Sequence, residues 1–189
     1  RRGGTFEMAQ LWLNLPRSAK LGPPRYQPIL ARDIPRVPLV ESDEGVQCAA
    51  DGGGSYVRVI AGAVGGVKGA ASTHTPVELW DVHLADETPR VVHLPAGHNG
   101  LVFVREGGCH VGGGDTDSEP LEVPLQGAAV LNRGGTRLRL QASRPGTSLL
   151  LLAGEPIDEP IAARGPFVMN TMEEIYQANE DFHAGRLGR

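Results

Sequence analysis

Six histidines, His74, His83, His93, His98, His110 and His183, are the residues of this 189-residue sequence best suited to metal or proton chemistry. A metal held inside a small β-barrel takes two or more side chains that project inward from neighbouring strands. An H-x-H pair supplies two at once, because residues i and i+2 of a strand share a face. No H-x-H occurs here. His93 and His98 stand five apart across Pro95 and Gly97, which is not a same-face spacing in a continuous strand. His83 and His93 would meet only across a hairpin that no sequence rule demands. The expectation is that this chain builds no metal site from its own histidines.

Other arrangements fall short in the same way. Lys68 follows a glycine-rich stretch, but Val67 precedes it and Gly69 follows, whereas a phosphate loop needs Gly before the Lys and Ser or Thr after it. Cys109 and His110 are neighbours, and neighbours on a strand point to opposite faces, so they cannot act as nucleophile and base. The only other cysteine, Cys48, is remote and forms no C-x-x-C pattern, which fits two reduced thiols. Glu155, Asp158 and Glu159 make an acidic cluster on a segment broken by Pro156 and Pro160. Paired carboxylates can move protons, but on such a segment they read as solvated or arginine-paired. No catalytic, cofactor-binding or metal-ligating residue is therefore assigned.

The elements that hold these side chains read as short strands. Glycine (26 residues) and proline (15) punctuate the chain so often that long helices are excluded. Apolar runs lie between them at 56–60, 77–84, 91–94, 101–104, 109–111, 121–123, 128–131, 136–140 and 148–153. Residues 6–15 also read as a strand, with Leu11, Leu13 and Leu15 alternating with Gln10, Trp12 and Asn14 until Pro16 ends the run. In 77–84 the alternation slips near Trp80, which predicts a bulge there. Residues 51–55 and 62–69 read as turns, and 112–120 as a polar loop. Only the end reads as helix. Thr171 and Glu174 fit a capping box, Ile175, Ala178 and Phe182 form a stripe, and Gly185 is a stop.

A net charge of −4 argues against direct nucleic-acid binding, which draws its affinity from phosphate neutralisation by basic residues. The longest apolar run, 149–153, is far short of the ~18–20 residues that span a bilayer. No signal peptide is evident. The expected location is cytoplasmic, with the nucleus open to a eukaryotic source.

Residues 151–170, LLAGEPIDEPIAARGPFVMN, followed by Thr171 and the helix start, resemble the C-terminal signature of the pirin family. QLWLNLP at 10–16 and PPRYQ at 23–27 resemble its inter-domain linker strand. Val59–Gly62, Thr75-Pro76 and Asp81 resemble the start of its second barrel. The resemblance implies a bicupin, with iron or another divalent metal held by three histidines and a glutamate in an N-terminal barrel. The family sequence carrying those ligands lies upstream of the segment that matches Arg1. The expected fold is an all-β, cupin-like double-stranded β-helix barrel with an N-terminal crossing strand and a short C-terminal helix. The expected division is a linker at 1–40, a degenerate barrel at 41–155 and a crossing segment with helix at 156–189. Aligning the cupin motif on Gly107 puts Leu101 at a ligand position and the histidine positions at Pro95 and Gly97; a second motif falls at 127–132. The resemblance implies that this half carries no cofactor. It also implies partners: a missing N-terminal barrel, self-association, or a protein partner of the kind met by transcription coregulators. Phe6, Met8, Leu11, Ile175 and Phe182 are the residues expected to touch that barrel. Full-length relatives are implied to be flavonol dioxygenases acting on compounds such as quercetin.

Overall fold

The computed structural model describes residues 3, 4, 6–39, 54–113 and 119–187. Cys48, the turn at 51–53 and the middle of the 112–120 loop lie outside the described residues. Two compact units divide the chain: Tyr26–Pro156 forms one, and Arg1–Arg25 with Ile157–Arg189 forms the other.

The larger unit is built from the apolar runs. Its strands are β1 (Arg36–Pro38), β2 (Tyr56–Ala61), β3 (Ala63–Val64), β4 (Val67–Lys68), β5 (Val77–Leu84), β6 (Arg90–His93) and β7 (Asn99–Glu106). They continue with β8 (Cys109–Gly113), β9 (Leu121–Val123), β10 (Ala128–Leu131), β11 (Arg137–Ala142) and β12 (Thr147–Gly154). A six-stranded sheet runs in the order β1-β2-β5-β12-β7-β10, and a four-stranded sheet in the order β6-β11-β8-β9. Every pairing is antiparallel. Alternation decides the packing, because successive side chains point to opposite faces. Val57, Val59, Trp80, Val82, Val102, Val104, Leu149 and Leu151 from the first sheet meet Val92, Val111, Leu138 and Leu140 from the second in one buried core.

The bulge expected in β5 lies in its partner. β5 alternates without a break, burying Trp80, Val82 and Leu84. The register shifts in β2 between Val59 and Ala61, opposite Trp80 and Leu79, so Ile60 is the extra residue. Val77 and Leu79 simply face outward. The turn-rich 62–69 stretch closes as the small β3–β4 hairpin.

The smaller unit holds a short helix α1 (Arg17–Lys20), a hairpin of β13 (Ala162–Arg164) and β14 (Phe167–Met169), and helix α2 (Met172–His183). The strand expected at 6–15 does not form: among the described residues nothing pairs with it. The α2 start is as read, with Thr171 Oγ1 accepting from the Glu174 amide and the Glu174 carboxylate accepting from the Thr171 amide. Gly185, at φ +66, takes the left-handed turn that ends it. Ile175 and Ala178 are buried. Ile175 is thus already covered and does not belong with the residues left to touch another body; Phe182 remains exposed, its ring 6.1 Å from Phe167.

A polar clamp ties the arm to this hairpin and helix. Glu159 accepts from the Arg17 backbone amide (2.8 Å) and from Asn170 Nδ2 (2.9 Å). Glu174 accepts from the Asn170 amide and pairs with the Arg17 guanidinium, and Lys20 donates to the Val168 carbonyl. The Asn170 amide, and after it Arg17, hold the Glu174 carboxyl below the ordinary carboxylate range. No helix among the described residues is long and apolar enough to cross a membrane.

Leu149→Ala should lower unfolding stability by about 2–5 kcal/mol, since it opens a cavity in the shared core. Val130→Ala, at a side chain 84% exposed, should stay within about 0.5 kcal/mol; denaturant titration of both variants checks this. A depressed folded pKa stabilises above the unfolded value and is lost as pH falls through the folded one. Helicity of α2 should therefore drop on acidification below the ordinary carboxylate range, and Glu174→Gln should weaken the helix at neutral pH and blunt that acid dependence, read by far-ultraviolet dichroism.

Candidate functional site

The inner face of the barrel is where a cupin would place its ligands. In β7 the buried residues are Val102 and Val104, so Leu101 points outward, and the ligand position assigned to it is corrected. The inward position is Gly100, opposite Ala153 of β12 and Leu131 of β10. The register shifts where Ser148 opposes Glu106 and Leu149 opposes Val104, so Arg105 is an extra residue in β7.

Pro95 and Gly97 lie exposed in the connection before β7, while Leu94 packs against the core. In the 127–132 segment the inward side chains are Ala129 and Leu131. A Cβ added at Gly100 would fall 2.8 Å from Leu131 Cδ1, so the leucine fills the space that a longer side chain at 100 would take. Leu94, Gly100, Ala129 and Leu131 offer no donor atom. The residues present do not fit a cupin metal, and no group of three or more His, Cys, Asp or Glu converges among the described residues.

The histidines are dispersed. His83 faces outward from the six-stranded sheet, its ring 5.0 Å from Tyr56, and the Arg36 guanidinium lies 3.5 Å over the Tyr56 ring. His93 lies on the other sheet, opposite Arg137, so the two do not face one another. His110 Nδ1 is 3.4 Å from Ser143 Oγ, and His183 Nδ1 is 2.8 Å from the Asn179 carbonyl. His98 is half-buried, with Nδ1 lacking a hydrogen-bond partner. His74 is exposed in the loop before β5.

Two carboxylates that spacing did not single out each join several elements of this unit. Glu78 lies on the inward face of β5. Its Oε2 accepts from the Ala63 amide (2.8 Å) and from Trp80 Nε1 (3.0 Å). Gly62, at φ +80, leaves room for it: a Cβ there would fall 1.8 Å from that oxygen. Asp81 faces outward and takes Arg58 at 3.2 Å and Arg105 at 3.0 Å. Because β12 lies between β5 and β7, the Arg105 side chain must cross β12 to reach Asp81. That crossing accounts for the burial of Ser148 and Leu150 on the outward face of β12, both 7% exposed. Around it Leu79, Leu101, Phe103 and Leu152 lie half-buried on the same face.

Cys109 points into the core while His110 points out. Burial pushes the Cys109 thiol up to about 11. A thiolate is the reactive form, so Cys109 in a Cys48→Ser background should resist an aromatic disulfide reagent at pH 8 while folded and react within seconds once denatured. Fast labelling of the native protein would contradict the inward placement.

Residues 79–188 match the family model described as the pirin C-terminal cupin domain. A Pseudomonas aeruginosa protein, named provisionally as a quercetin 2,3-dioxygenase, is 46% identical over 187 residues, covering 99% of this chain and 59% of that protein. The pirin of Rattus norvegicus is 34% identical over 180 residues, covering 95% of this chain and 56% of its own length. A crystal structure titled quercetin 2,3-dioxygenase from Acinetobacter baumannii superposes with a TM-score of 0.78 at 40% identity, covering 94% of this chain and 55% of that one. The chain thus spans somewhat under three fifths of the length of these relatives. Its all-β barrel is cupin-like, and the chain belongs to the pirin family.

Proposed function

We propose that this chain supplies the non-metal barrel, and an arm that docks on another body, to a pirin-like protein whose metal chemistry resides in a separate barrel. The observation that carries this reading is the inner face at Leu94, Gly100, Ala129 and Leu131, where Leu131 fills the space over Gly100. A divalent metal needs oxygen, nitrogen or thiolate donors, and those positions present hydrocarbon. Relatives named as quercetin 2,3-dioxygenases supply the substrate class: the complete protein would oxidise a flavonol at an iron centre outside this chain. A metal held there would supply activation of the substrate and dioxygen, and no residue of this chain would hold it.

A second reading is an interaction module without catalysis. The exposed Phe6, Met8, Trp12, Leu13 and Phe182 favour it, since apolar groups of this size left in water mark contact surfaces. The two readings agree on this chain and differ over the partner body. An N-terminal barrel is the preferred occupant, self-association the lesser one.

The purified 189-residue chain should carry only substoichiometric iron after reconstitution, by plasma emission analysis, and should not consume quercetin. Stoichiometric iron together with quercetin turnover would overturn the reading. Substoichiometric iron here, with activity restored by adding the rest of a pirin-like chain, would favour the enzyme over the module.

A further inference from the structure

The β3–β4 hairpin belongs to neither large sheet. Among the described residues its strands pair only with each other, Ala63 opposite Lys68 and Val64 opposite Val67. Gly65 and Gly66 form its tip, at φ +55 and +80, the two-residue turn that closes a hairpin without help from neighbours. One face is apolar. Val64 is 5% exposed and joins the core, and Val67 packs against it, while Ala63 and Lys68 face water. Register places the hairpin at one end of the barrel. Ala61, just before it, opposes Leu79. One residue on, Glu78 opposes Ala153, Ala153 opposes Gly100, and Gly100 opposes Leu131. The hairpin therefore sits at the end that carries Gly100 and Leu131.

Its fastening is slight. Two valines hold it by packing, and Glu78 holds it by hydrogen bonding. One Glu78 oxygen accepts from the Ala63 amide at 2.8 Å and from Trp80 Nε1 at 3.0 Å, so it ties the first residue of the hairpin to a core side chain only 1% exposed. Gly62 and Gly69 flank the hairpin, and the Gly69 amide donates to the Gly62 carbonyl at 2.8 Å. Gly62 must lack a Cβ, which would fall 1.8 Å from that same Glu78 oxygen. A small, self-paired unit with few buried side chains opens at a lower free energy than the strands of a core. We propose that the β3–β4 hairpin is a lid on this end of the barrel, that it lifts as a body about Gly62 and Gly69, and that Glu78 is the latch that holds it shut. Opening withdraws Val64 and Val67 from the core and lets small solutes reach the inner face, while the two large sheets stay intact. Glu78 is a positioning residue here, not a reacting one.

The test uses the whole chain carrying Cys48→Ser and Val64→Cys, with buried Cys109 as an internal reference. An aromatic disulfide reagent at pH 8 labels each thiol only when it is uncovered, and mass spectrometry of the digested protein separates the two positions. Each rate is divided by its rate in denaturant, which removes the difference in thiol reactivity. The expected result is that the thiol introduced by Val64→Cys labels about 100-fold faster than Cys109. Adding Glu78→Ala should speed it about tenfold further and leave Cys109 unchanged. Gly62→Ala, which drives a Cβ onto the same oxygen, should act likewise, and should add less once Glu78→Ala is present. Glu78→Gln keeps an oxygen acceptor and should restore most of the slow rate. Fast labelling of Cys109 would reveal that Val64→Cys has unfolded the chain, and Val67→Cys then repeats the measurement from the second strand. Equal rates for the two thiols in a folded chain would mean that the hairpin opens only with the whole barrel, which overturns the lid. If Glu78→Ala speeds both thiols equally, or neither, Glu78 is no latch and the proposal fails.

Discussion

The constraint on which the larger unit depends is that β12 must be buried on both faces. It sits between β5 and β7 in the six-stranded sheet. Its inward residues, Leu149 and Leu151, need only the opposite sheet. Its outward residues, Ser148 and Leu150, are both 7% exposed, and the Arg105–Asp81 bridge crosses their strand on that face. That bridge is possible because the bulge at Arg105 gives β7 an extra residue beside Ser148. Val102 and Val104, buried in the core, set the parity that turns Gly100 rather than Leu101 inward. Arg58 and Arg105 remain a quarter to a third exposed, so the pairing acts more as a cover and a register lock than as a large source of stability.

This also marks how far the sequence can be read. Residues 148–153 were legible as a strand because a short apolar run lies there between glycines; that it is buried on both faces came from the structure. Helix α2 was legible because a capping box and a three-four stripe are local signals. The ligand parity was not legible: which face of β7 looks inward is set by the core that Val102 and Val104 join, and a motif spacing does not carry that. Asp81 entered only as part of a resemblance, and Glu78 not at all, because Arg58, Arg105 and the Ala63 amide lie on other strands, and pairing across a sheet is not written in spacing. The arm is the converse case. Its strand pattern is plain in the sequence, but a strand needs a neighbour, and the described residues provide none.

The residues that most resemble a family signature have an architectural role. Glu159, Asn170, Thr171 and Glu174 converge on one another and on Arg17, joining the arm, the hairpin and the start of α2. Two carboxylates, a guanidinium and three backbone amides satisfy each other there, which fixes the direction in which the arm leaves. Such a network tolerates little change, since removing one partner strands another. A long motif can therefore report a joint and not a reaction centre.

The inner-face patch at Leu94, Gly100, Ala129 and Leu131 carries hydrocarbon, while Glu78 brings a carboxylate to the inward face of β5. Donor side chains at Leu94, Gly100, Ala129 and Leu131 would have to be held polar, oriented and partly hydrated near the barrel mouth, at a cost to packing. Filled by leucine, the same space adds to the core and stiffens the sheet that carries the outward face. The polar structure of the chain lies away from that patch: the Asp81–Arg58–Arg105 group on the outward face of the six-stranded sheet in one unit, and the Arg17 clamp in the other. In both, a carboxylate holds elements that are remote in sequence, so removing either carboxylate would leave its arginine partners without that contact.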